Sequence, residues 1–155
     1  MAAPPSILYK RATFVTQLPV HHLYAPSHCW LSPVEPDRWR VGYTKFALRM
    51  LGELVDVQFD HPTGSPIRSG DILGSIEGFK AVSDLYAVGH GTFVGANPAL
   101  KDDLDSVARE PYSAGWLYEF QGTPDERTLD LGAYQNLLDA TIDRILAQQK
   151  PDEPA

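Results

Sequence analysis

Apolar and polar residues alternate with a period of two through the middle of the chain. Between Glu53 and Phe59, apolar side chains at positions 55, 57 and 59 are separated by polar ones, a spacing typical of a half-buried β-strand. Other short apolar runs are bounded by Gly, Pro or Asp and predict strands at residues 38–41, 71–77, 81–87, 92–96 and 116–120. Because short strands spaced this closely favour antiparallel pairing, the pattern predicts a small β sandwich or barrel.

A helical spacing interrupts the strands once. Apolar residues at positions 46, 47, 50 and 51 would share one face of a short helix. Thr44 precedes them and can cap the helix, and Gly52 can end it. We therefore predict a short internal helix that lies across the sheet.

Two further helices are predicted near the C-terminus. Thr123, Pro124 and Glu126 have the order of a capping box with proline at the first helical position, and Gly132 would end this brief helix. A longer helix should follow, ending before Pro151, with Asp139, Asp143 and Gln149 facing water. Its apolar stripe is formed by Tyr134, Leu137, Leu138, Ile142, Ile145 and Leu146. The predicted fold class is thus mainly β with flanking helices.

Length and proline distribution predict a single domain. A chain of 155 residues buries roughly 68–70% of its unfolded surface, which supports one core but not two full-sized domains. Many of the 13 prolines lie near the ends or between candidate elements. We divide the chain into an N-terminal segment at residues 1–20, a single domain at 21–149 that includes the C-terminal helices, and a disordered tail at 150–155.

Charge and composition argue against two classes of partner. With 13 Lys and Arg against 20 Asp and Glu, the net charge of −7 would repel a nucleic-acid backbone. No uninterrupted apolar stretch approaches the ~20 residues that a membrane span needs. Lys10 and Arg11 follow the first apolar run instead of preceding it, the reverse of a secretory signal, and the single cysteine cannot form an internal disulfide. We expect a cytoplasmic protein that binds neither nucleic acid nor membrane.

No catalytic or metal-binding arrangement emerges from the residue spacing. His21, His22 and His28 match no zinc-ligand pattern. Neighbouring residues on a strand point to opposite faces, so His28 and Cys29 cannot act together as base and nucleophile. We therefore predict no metal site and no catalytic residue.

Lys80 lies where two strand-like runs meet. One run ends near Glu77 and the next begins near Ala81, so the lysine should project from a tight hairpin. A hairpin tip exposes its side chain to a modifying enzyme while the strands hold its backbone. An exposed turn lysine is more often just a solvated charge, and geometry alone leaves both interpretations open.

Several motifs, in order and at matching spacing, resemble the glycine cleavage system H proteins. Residues 77–84, Glu-Gly-Phe-Lys-Ala-Val-Ser-Asp, are similar to that family's lipoylation hairpin, Glu-Ser-Val-Lys-Ala-Ala-Ser-Asp. Residues 23–30, Leu-Tyr-Ala-Pro-Ser-His-Cys-Trp, resemble its opening strand, Tyr-Ser-Pro-Ser-His-Glu-Trp. Further similar motifs lie at residues 42–44, 51–55, 70–71, 97–100 and 111–117. The resemblance extends over roughly residues 23–146.

The resemblance implies a lipoyl-domain β sandwich whose hairpin lysine carries lipoate through an amide bond. Lys80 is then the expected lipoylation site, and Glu77 lies where the family's acidic residue helps the lipoylating enzyme to find its lysine. The protein would be a carrier whose arm moves between separate enzymes, and not itself an enzyme.

Three positions of the arm and cargo cleft implied by the resemblance distinguish two pathways. Cys29 replaces a Glu that holds the cargo's amine, Met50 replaces a His, and Asp84 is retained. Because a thiol cannot pair with an ammonium as a carboxylate does, we favour a sulfur-bearing cargo. This points to an H-like lipoate-binding protein that works with a heterodisulfide-reductase-like complex in sulfur oxidation.

Two alternatives remain open from the sequence. The first is glycine cleavage, in which the arm carries an aminomethyl group from a decarboxylase to an aminomethyltransferase and passes electrons to dihydrolipoyl dehydrogenase. The second, of a different class, is a structural or interaction module that carries no lipoate.

Overall fold

Antiparallel strands dominate the computed structural model, which describes residues 4–149. The strands are β1 (Ser6–Arg11), β2 (Phe14–Pro19), β3 (Leu23–Tyr24), β4 (Cys29–Glu35), β5 (Arg38–Tyr43), β6 (Leu54–Phe59), β7 (Pro66–Ile67), β8 (Ile72–Gly78), β9 (Val82–Tyr86), β10 (Gly89–Ala96) and β11 (Tyr118–Pro124). The helices are α1 (Lys45–Leu51), α2 (Ser106–Arg109) and α3 (Leu131–Gln149), with a 3-10 turn at Pro98–Lys101.

Two sheets face each other across the main core. One has six strands in the order β3-β4-β5-β11-β10-β7, and the other has three in the order β6-β8-β9. Leu31, Val41 and Phe120 from the larger sheet and Ile76 and Leu85 from the smaller one are almost completely buried in the same cluster. The predicted β sandwich is confirmed.

Most predicted strands lie within two residues of their expected bounds. The alternating segment that begins at Glu53 forms β6, and it pairs with β8, which in turn pairs with β9. The strand predicted at 92–96 begins earlier, at Gly89, and the one predicted at 116–120 begins two residues later and ends four residues later, at Tyr118–Pro124.

The predicted internal helix is confirmed as α1. Thr44 caps it, since its Oγ1 accepts a hydrogen bond from the Ala47 N–H at 3.3 Å. Gly52 ends it with a φ of 77°, in the left-handed region that favours glycine. Phe46 is buried, whereas Met50 is 37% exposed and lies at the surface of the protein.

The prediction of a brief helix from Thr123 to Gly132 is wrong. Thr123 and Pro124 end β11, where they pair with the first residues of β10, and α3 begins only at Leu131 and includes Gly132. Asp130 Oδ1 accepts a hydrogen bond from the Ala133 N–H at 2.9 Å and caps α3. Pairing of these residues with β10 overrides their local capping signature.

The predicted long C-terminal helix is confirmed as α3. Tyr134, Leu138 and Ile142 are completely buried, as their spacing predicts. Pro151 and the tail at 150–155 lie outside the described residues. Among residues 4–149, no helix combines the length and the apolar character that crossing a bilayer requires.

The N-terminal segment forms a hairpin that the alternation pattern did not predict. β1 and β2 pair with each other and pack on α1 and α3. Tyr9, Phe14 and Leu18 are buried there and form a second core with residues of the two helices. Asp143 is exposed, as expected, and Asp139 is partly exposed, and both also pair with this hairpin. Tyr9 donates a hydrogen bond to Asp139 at 2.7 Å, and the guanidinium of Arg11 binds Asp143 at 2.7 and 2.8 Å.

Candidate functional site

Lys80 lies at the tip of the β8–β9 hairpin, as predicted. The Gly78 N–H donates to the Ala81 carbonyl at 2.9 Å and closes the turn. Phe79 and Lys80 occupy the tip, and both are exposed to solvent. The hairpin therefore presents an amine at the surface of the protein.

The hairpin tip is fixed against the C-terminal end of α1. The Lys80 N–H donates to the Leu51 carbonyl at 2.9 Å, and the Phe79 N–H donates to the Glu53 carbonyl at 3.0 Å. A Cβ atom at Gly78 would lie 2.2 Å from the Leu51 carbonyl oxygen, so the close approach requires glycine. The backbone beneath Lys80 is held at three points, while its side chain is exposed.

The Lys80 amine has one weak polar contact. Nζ donates to the Arg49 carbonyl at 3.3 Å, one of the last carbonyls of α1. Within the part of the chain that the structure describes, Lys80 takes part in no salt bridge. Acylation of this amine would therefore break no ion pair.

Two grooves run along the sides of α1 and reach the hairpin. The first, which we call the Met50 groove, has a cavity volume of about 250 Å³. It is lined by Ser27, His28, Tyr43, Phe46, Ala47, Met50, Leu51, Ala81 and Ser83. The second, the Glu53 groove, measures about 450 Å³ and includes Lys80 itself. Its other lining residues are Lys45, Leu48, Arg49, Gly52, Glu53, Leu54 and Ala108.

His28 is one of the polar residues that line the Met50 groove. Its backbone has a φ of 71°, which is uncommon for a residue other than glycine. The ring packs on Phe46 with a centroid separation of 4.8 Å, and Nδ1 lies 2.8 Å from the Tyr134 hydroxyl. Burial lowers the pKa of His28 to about 4, so the imidazole is neutral at neutral pH.

Only one of the three residues expected in the arm and cargo cleft lines a groove. Met50 does so. Cys29 is 5% exposed and belongs to the main core, and burial raises the pKa of its thiol to about 12. Asp84 is exposed on β9 and directly follows Ser83, which lines the Met50 groove. The Cys29 thiol therefore lies in the core and does not line this groove, whereas a contact of Asp84 with the arm stays a prediction.

Glu77 is exposed near the end of β8. It pairs across the sheet with Asp56 on one side and Val82 on the other. The carboxylate is thus on the same exposed surface as the hairpin tip, three residues before Lys80.

Sequence reasoning missed the polar residues that the tertiary structure brings to the Met50 groove. Tyr43 and Ser83 line its wall, and Tyr134 supports His28 from α3. In the sequence, only the place of His28 in the Pro-Ser-His motif pointed to one of these residues. Tyr134 belongs to the apolar stripe of the C-terminal helix, and that pattern assigns no role to its hydroxyl. His22 is 8% exposed and packs on Trp30 with ring centroids 4.8 Å apart. The described residues contain no group of three or more side chains that could hold a metal ion.

Comparison with known proteins identifies relatives over most of the chain. The family model described as glycine cleavage H-protein matches residues 22–141. A glycine cleavage system H protein from Corynebacterium jeikeium (strain K411) is 37% identical over 124 residues, which cover 78% of this chain and 97% of the relative. A protein of the same name from Kocuria rhizophila is 37% identical over 129 residues and is covered completely, with 81% of this chain aligned.

A solved structure has the same fold. The crystal structure of a glycine cleavage system H protein from Mycobacterium marinum matches with a TM-score of 0.69 and 37% sequence identity. The match covers 77% of this chain and 97% of that one. The β1–β2 hairpin ends at Pro19 and so precedes the residues that the family model matches.

Proposed function

The chain belongs to the glycine cleavage H-protein family, and we propose that it carries lipoate on Lys80 and transports an aminomethyl group between the enzymes of a glycine cleavage system. Covalently attached lipoate is the cofactor of this family, and the protein is a lipoyl carrier. The observation that carries the assignment to Lys80 is its position at a rigid hairpin tip between two grooves.

The residues around Lys80 fit a lipoyl group. Its amine is exposed and pairs with no carboxylate of the described chain, so an acylating enzyme can reach it. The grooves are lined largely by apolar groups, including Met50 and Ala47 in one and Leu48 and Leu54 in the other. These walls suit the apolar carbon chain of lipoate, and either groove offers it a place beside α1.

The division of labour follows from this geometry. When bound, the dithiolane of lipoate would supply a disulfide whose S–S bond breaks as one sulfur binds the cargo covalently and the other becomes a thiol. The protein holds the attachment point rigidly through the backbone contacts of Phe79 and Lys80 with the end of α1. Tethering makes each transfer effectively intramolecular once the carrier has docked on a partner enzyme.

The comparisons favour glycine cleavage over sulfur oxidation. The relatives reported above are all named as glycine cleavage system H proteins. The preference for a sulfur-bearing cargo depended partly on Cys29 as a cleft residue, and its thiol lies in the core instead. Nothing in the comparisons supports a heterodisulfide-reductase-like partner. We therefore propose a glycine decarboxylase, an aminomethyltransferase and a dihydrolipoyl dehydrogenase as the partners.

Intact-mass analysis tests the attachment site. Co-expression with a lipoylating enzyme should add one lipoyl mass to the wild-type protein and none to Lys80→Arg. The control is Lys101→Arg, which removes another exposed lysine and should still gain the mass. Lipoylation of Lys80→Arg would refute the assignment, and an unmodified wild type would favour the non-lipoylated module.

Reconstitution tests the pathway. Lipoylated wild-type protein mixed with glycine decarboxylase, aminomethyltransferase, dihydrolipoyl dehydrogenase and tetrahydrofolate should support glycine-dependent reduction of NAD. Lys80→Arg should support none, and no turnover should occur without the partner enzymes. A lipoylated wild type that fails in this assay would exclude the aminomethyl cargo while leaving the carrier function intact.

A further inference from the structure

A row of hydrogen bonds connects the start of α1 to the Met50 groove. The Ala47 N–H donates to Thr44 Oγ1 at 3.3 Å, and Thr44 Oγ1 lies 3.2 Å from the Tyr134 hydroxyl oxygen. That oxygen lies 2.8 Å from His28 Nδ1. Thr44 and Tyr134 are completely buried, so water does not compete for these contacts. The protonation of the His28 ring is therefore decided by its protein neighbours.

Both ionisable members of the row are neutral at neutral pH. Burial raises the pKa of the Tyr134 phenol, which keeps its proton. Burial lowers the pKa of His28 to about 4, which leaves one proton on the imidazole ring. The other ionisable groups around His28 are the buried Cys29 thiol beside it on β4 and the Tyr43 phenol across the groove, and burial keeps both protonated. The remaining question is which ring nitrogen of His28 carries the proton.

Only one arrangement gives both buried hydroxyl hydrogens of the row an acceptor. If the Thr44 hydroxyl donates to Tyr134 and the Tyr134 hydroxyl donates to His28 Nδ1, the ring proton is on Nε2. If instead Nδ1 donates to Tyr134 and Tyr134 donates to Thr44, the Thr44 hydroxyl hydrogen has no acceptor among the described residues. A buried hydroxyl hydrogen without an acceptor is costly, so the first arrangement is favoured.

Because His28 lines the Met50 groove and its Nδ1 is engaged by Tyr134, we place its second ring nitrogen at the groove. His28 lines the Met50 groove, and its Nε2 has no hydrogen-bond partner in the described part of the chain. Nε2 is not fully buried, since the fully buried polar side-chain atoms of residues 4–149 that lack a partner do not include it. The backbone is fixed on both sides, since the His28 N–H donates to Ala25 and its carbonyl accepts from Thr44. The ring therefore has a set orientation and a free Nε2 at the groove surface.

We propose that His28 presents a fixed Nε2–H donor to the lipoyl arm and binds a hydrogen-bond acceptor of that arm in the Met50 groove. The inference rests on the proposed function. Two acceptors of the arm share this chemistry, the carbonyl oxygen of the amide bond and a sulfur atom at its end. His28 thus selects the Met50 groove over the Glu53 groove as the resting place of the arm.

Nitrogen NMR of the full chain tests the tautomer and the contact together. The unmodified protein should show His28 protonated on Nε2 and not on Nδ1. Lipoylation, verified by intact mass on the same sample, should shift the Nε2–H resonance. An octanoyl group on Lys80 has the same amide but no sulfur, so a shift with both arms identifies the carbonyl and a shift with the lipoyl arm alone identifies sulfur.

A matched variant separates the groove contact from the support of the fold. In His28→Asn the shorter side chain tolerates the left-handed backbone, and its oxygen can still accept from Tyr134, but it has no donor at the position of Nε2. The lipoyl disulfide should be reduced by a small phosphine about two- to tenfold faster in this variant, because the arm loses one hydrogen bond to the groove. His21→Asn, at an exposed histidine, should leave the rate unchanged.

Three results would overturn the inference. They are an Nδ1–H tautomer in the unmodified protein, an Nε2–H resonance that does not move when the lipoyl mass is present, or equal reduction rates in wild type and His28→Asn. A sample that gains no lipoyl mass overturns the proposed function and this inference with it, and the mass spectrum distinguishes that failure from the other three.

Discussion

Glu77 is placed for recognition and not for stability. Its side chain is exposed near the end of β8, and it forms no salt bridge within residues 4–149. We expect Glu77→Ala to be lipoylated more slowly than the wild type, because the lipoylating enzyme loses a carboxylate beside its target. The free energy of unfolding should change by less than about 0.5 kcal/mol. Time courses by intact mass and urea titrations measure the two effects.

A second exposed carboxylate controls for charge alone. Glu126→Ala removes the same charge at a position away from the hairpin tip and should be lipoylated at the wild-type rate. Equal rates for Glu77→Ala and Glu126→Ala would remove the recognition role from Glu77.

Cys29 should be inert in the folded protein. The thiol is 5% exposed, and burial raises its pKa to about 12, so it is neither accessible nor ionised at pH 8. We expect a thiol reagent such as DTNB to label no cysteine under native conditions and one per chain in guanidinium. Because lipoic acid can also supply thiols, the unmodified protein is the correct sample. Rapid labelling under native conditions would show that the Cys29 thiol is accessible, as expected for a residue of the cleft.

Among the structural elements, the β1–β2 hairpin joins two helices, α1 and α3, that are far apart in the sequence. Phe14 packs on Phe46 of α1 with a centroid distance of 5.8 Å, and the Arg49 guanidinium of the same helix lies 4.3 Å from the centroid of the Phe14 ring. The other strand binds α3 through Tyr9 and Arg11. Since α1 separates the two grooves, the hairpin supports the element that borders the lipoyl site.

We expect Phe14→Ala to lower the free energy of unfolding by about 3 kcal/mol. The ring is 8% exposed and belongs to the second core, and removing a buried aromatic side chain leaves a cavity. Val15→Ala changes the neighbouring residue, which is 54% exposed, and should cost less than about 0.5 kcal/mol. Equal effects of the two substitutions would show that the hairpin does not contribute to the packed core.

At the scale of the whole molecule, the buried His22 and the partly buried His28 make folding sensitive to mild acid. Burial lowers the pKa of His22 and of His28 from 6.5 to about 4. Between these values the unfolded chain binds protons that the folded chain does not, so stability is fully present above pH 6.5 and falls as the pH decreases. The pKa values of Asp125 and Asp143 are also lowered, by hydrogen bonds with Arg127 and Arg11, but carboxylates with an ordinary pKa of 3.8 act at lower pH.

We therefore expect the unfolding free energy to fall between pH 7 and pH 5 by up to about 2 kcal/mol for each of the two histidines. Denaturant titrations at the two pH values measure the difference. His28→Asn should remove about half of the decrease, whereas His21→Asn, which removes only a minor contribution to the lowered pKa of His22, should change it little. Stability that is the same at pH 7 and pH 5 would contradict the burial of both rings.

The sequence by itself determined the features that depend on neighbouring residues. A two-residue alternation predicted β6, and Thr44 and Gly52 predicted both ends of α1, because strand pleat and helix capping are set by residues within a few positions of each other. The same local order placed Lys80 at a hairpin tip. The motif resemblance led to the family because it depends on residue order, which needs no coordinates.

The tertiary structure decided which side chains meet. Thr123 and Pro124 carry a helix signal, but pairing with β10 made them the end of a strand. Cys29 aligns with a cleft position, yet packing of the sheets buried it in the core. The orientation of the His28 ring depends on Tyr134, 106 residues away, and the N-terminal hairpin packs on α1 and α3. These outcomes depend on which distant surfaces can be buried together and which buried polar atoms find partners, and a local pattern contains neither kind of information.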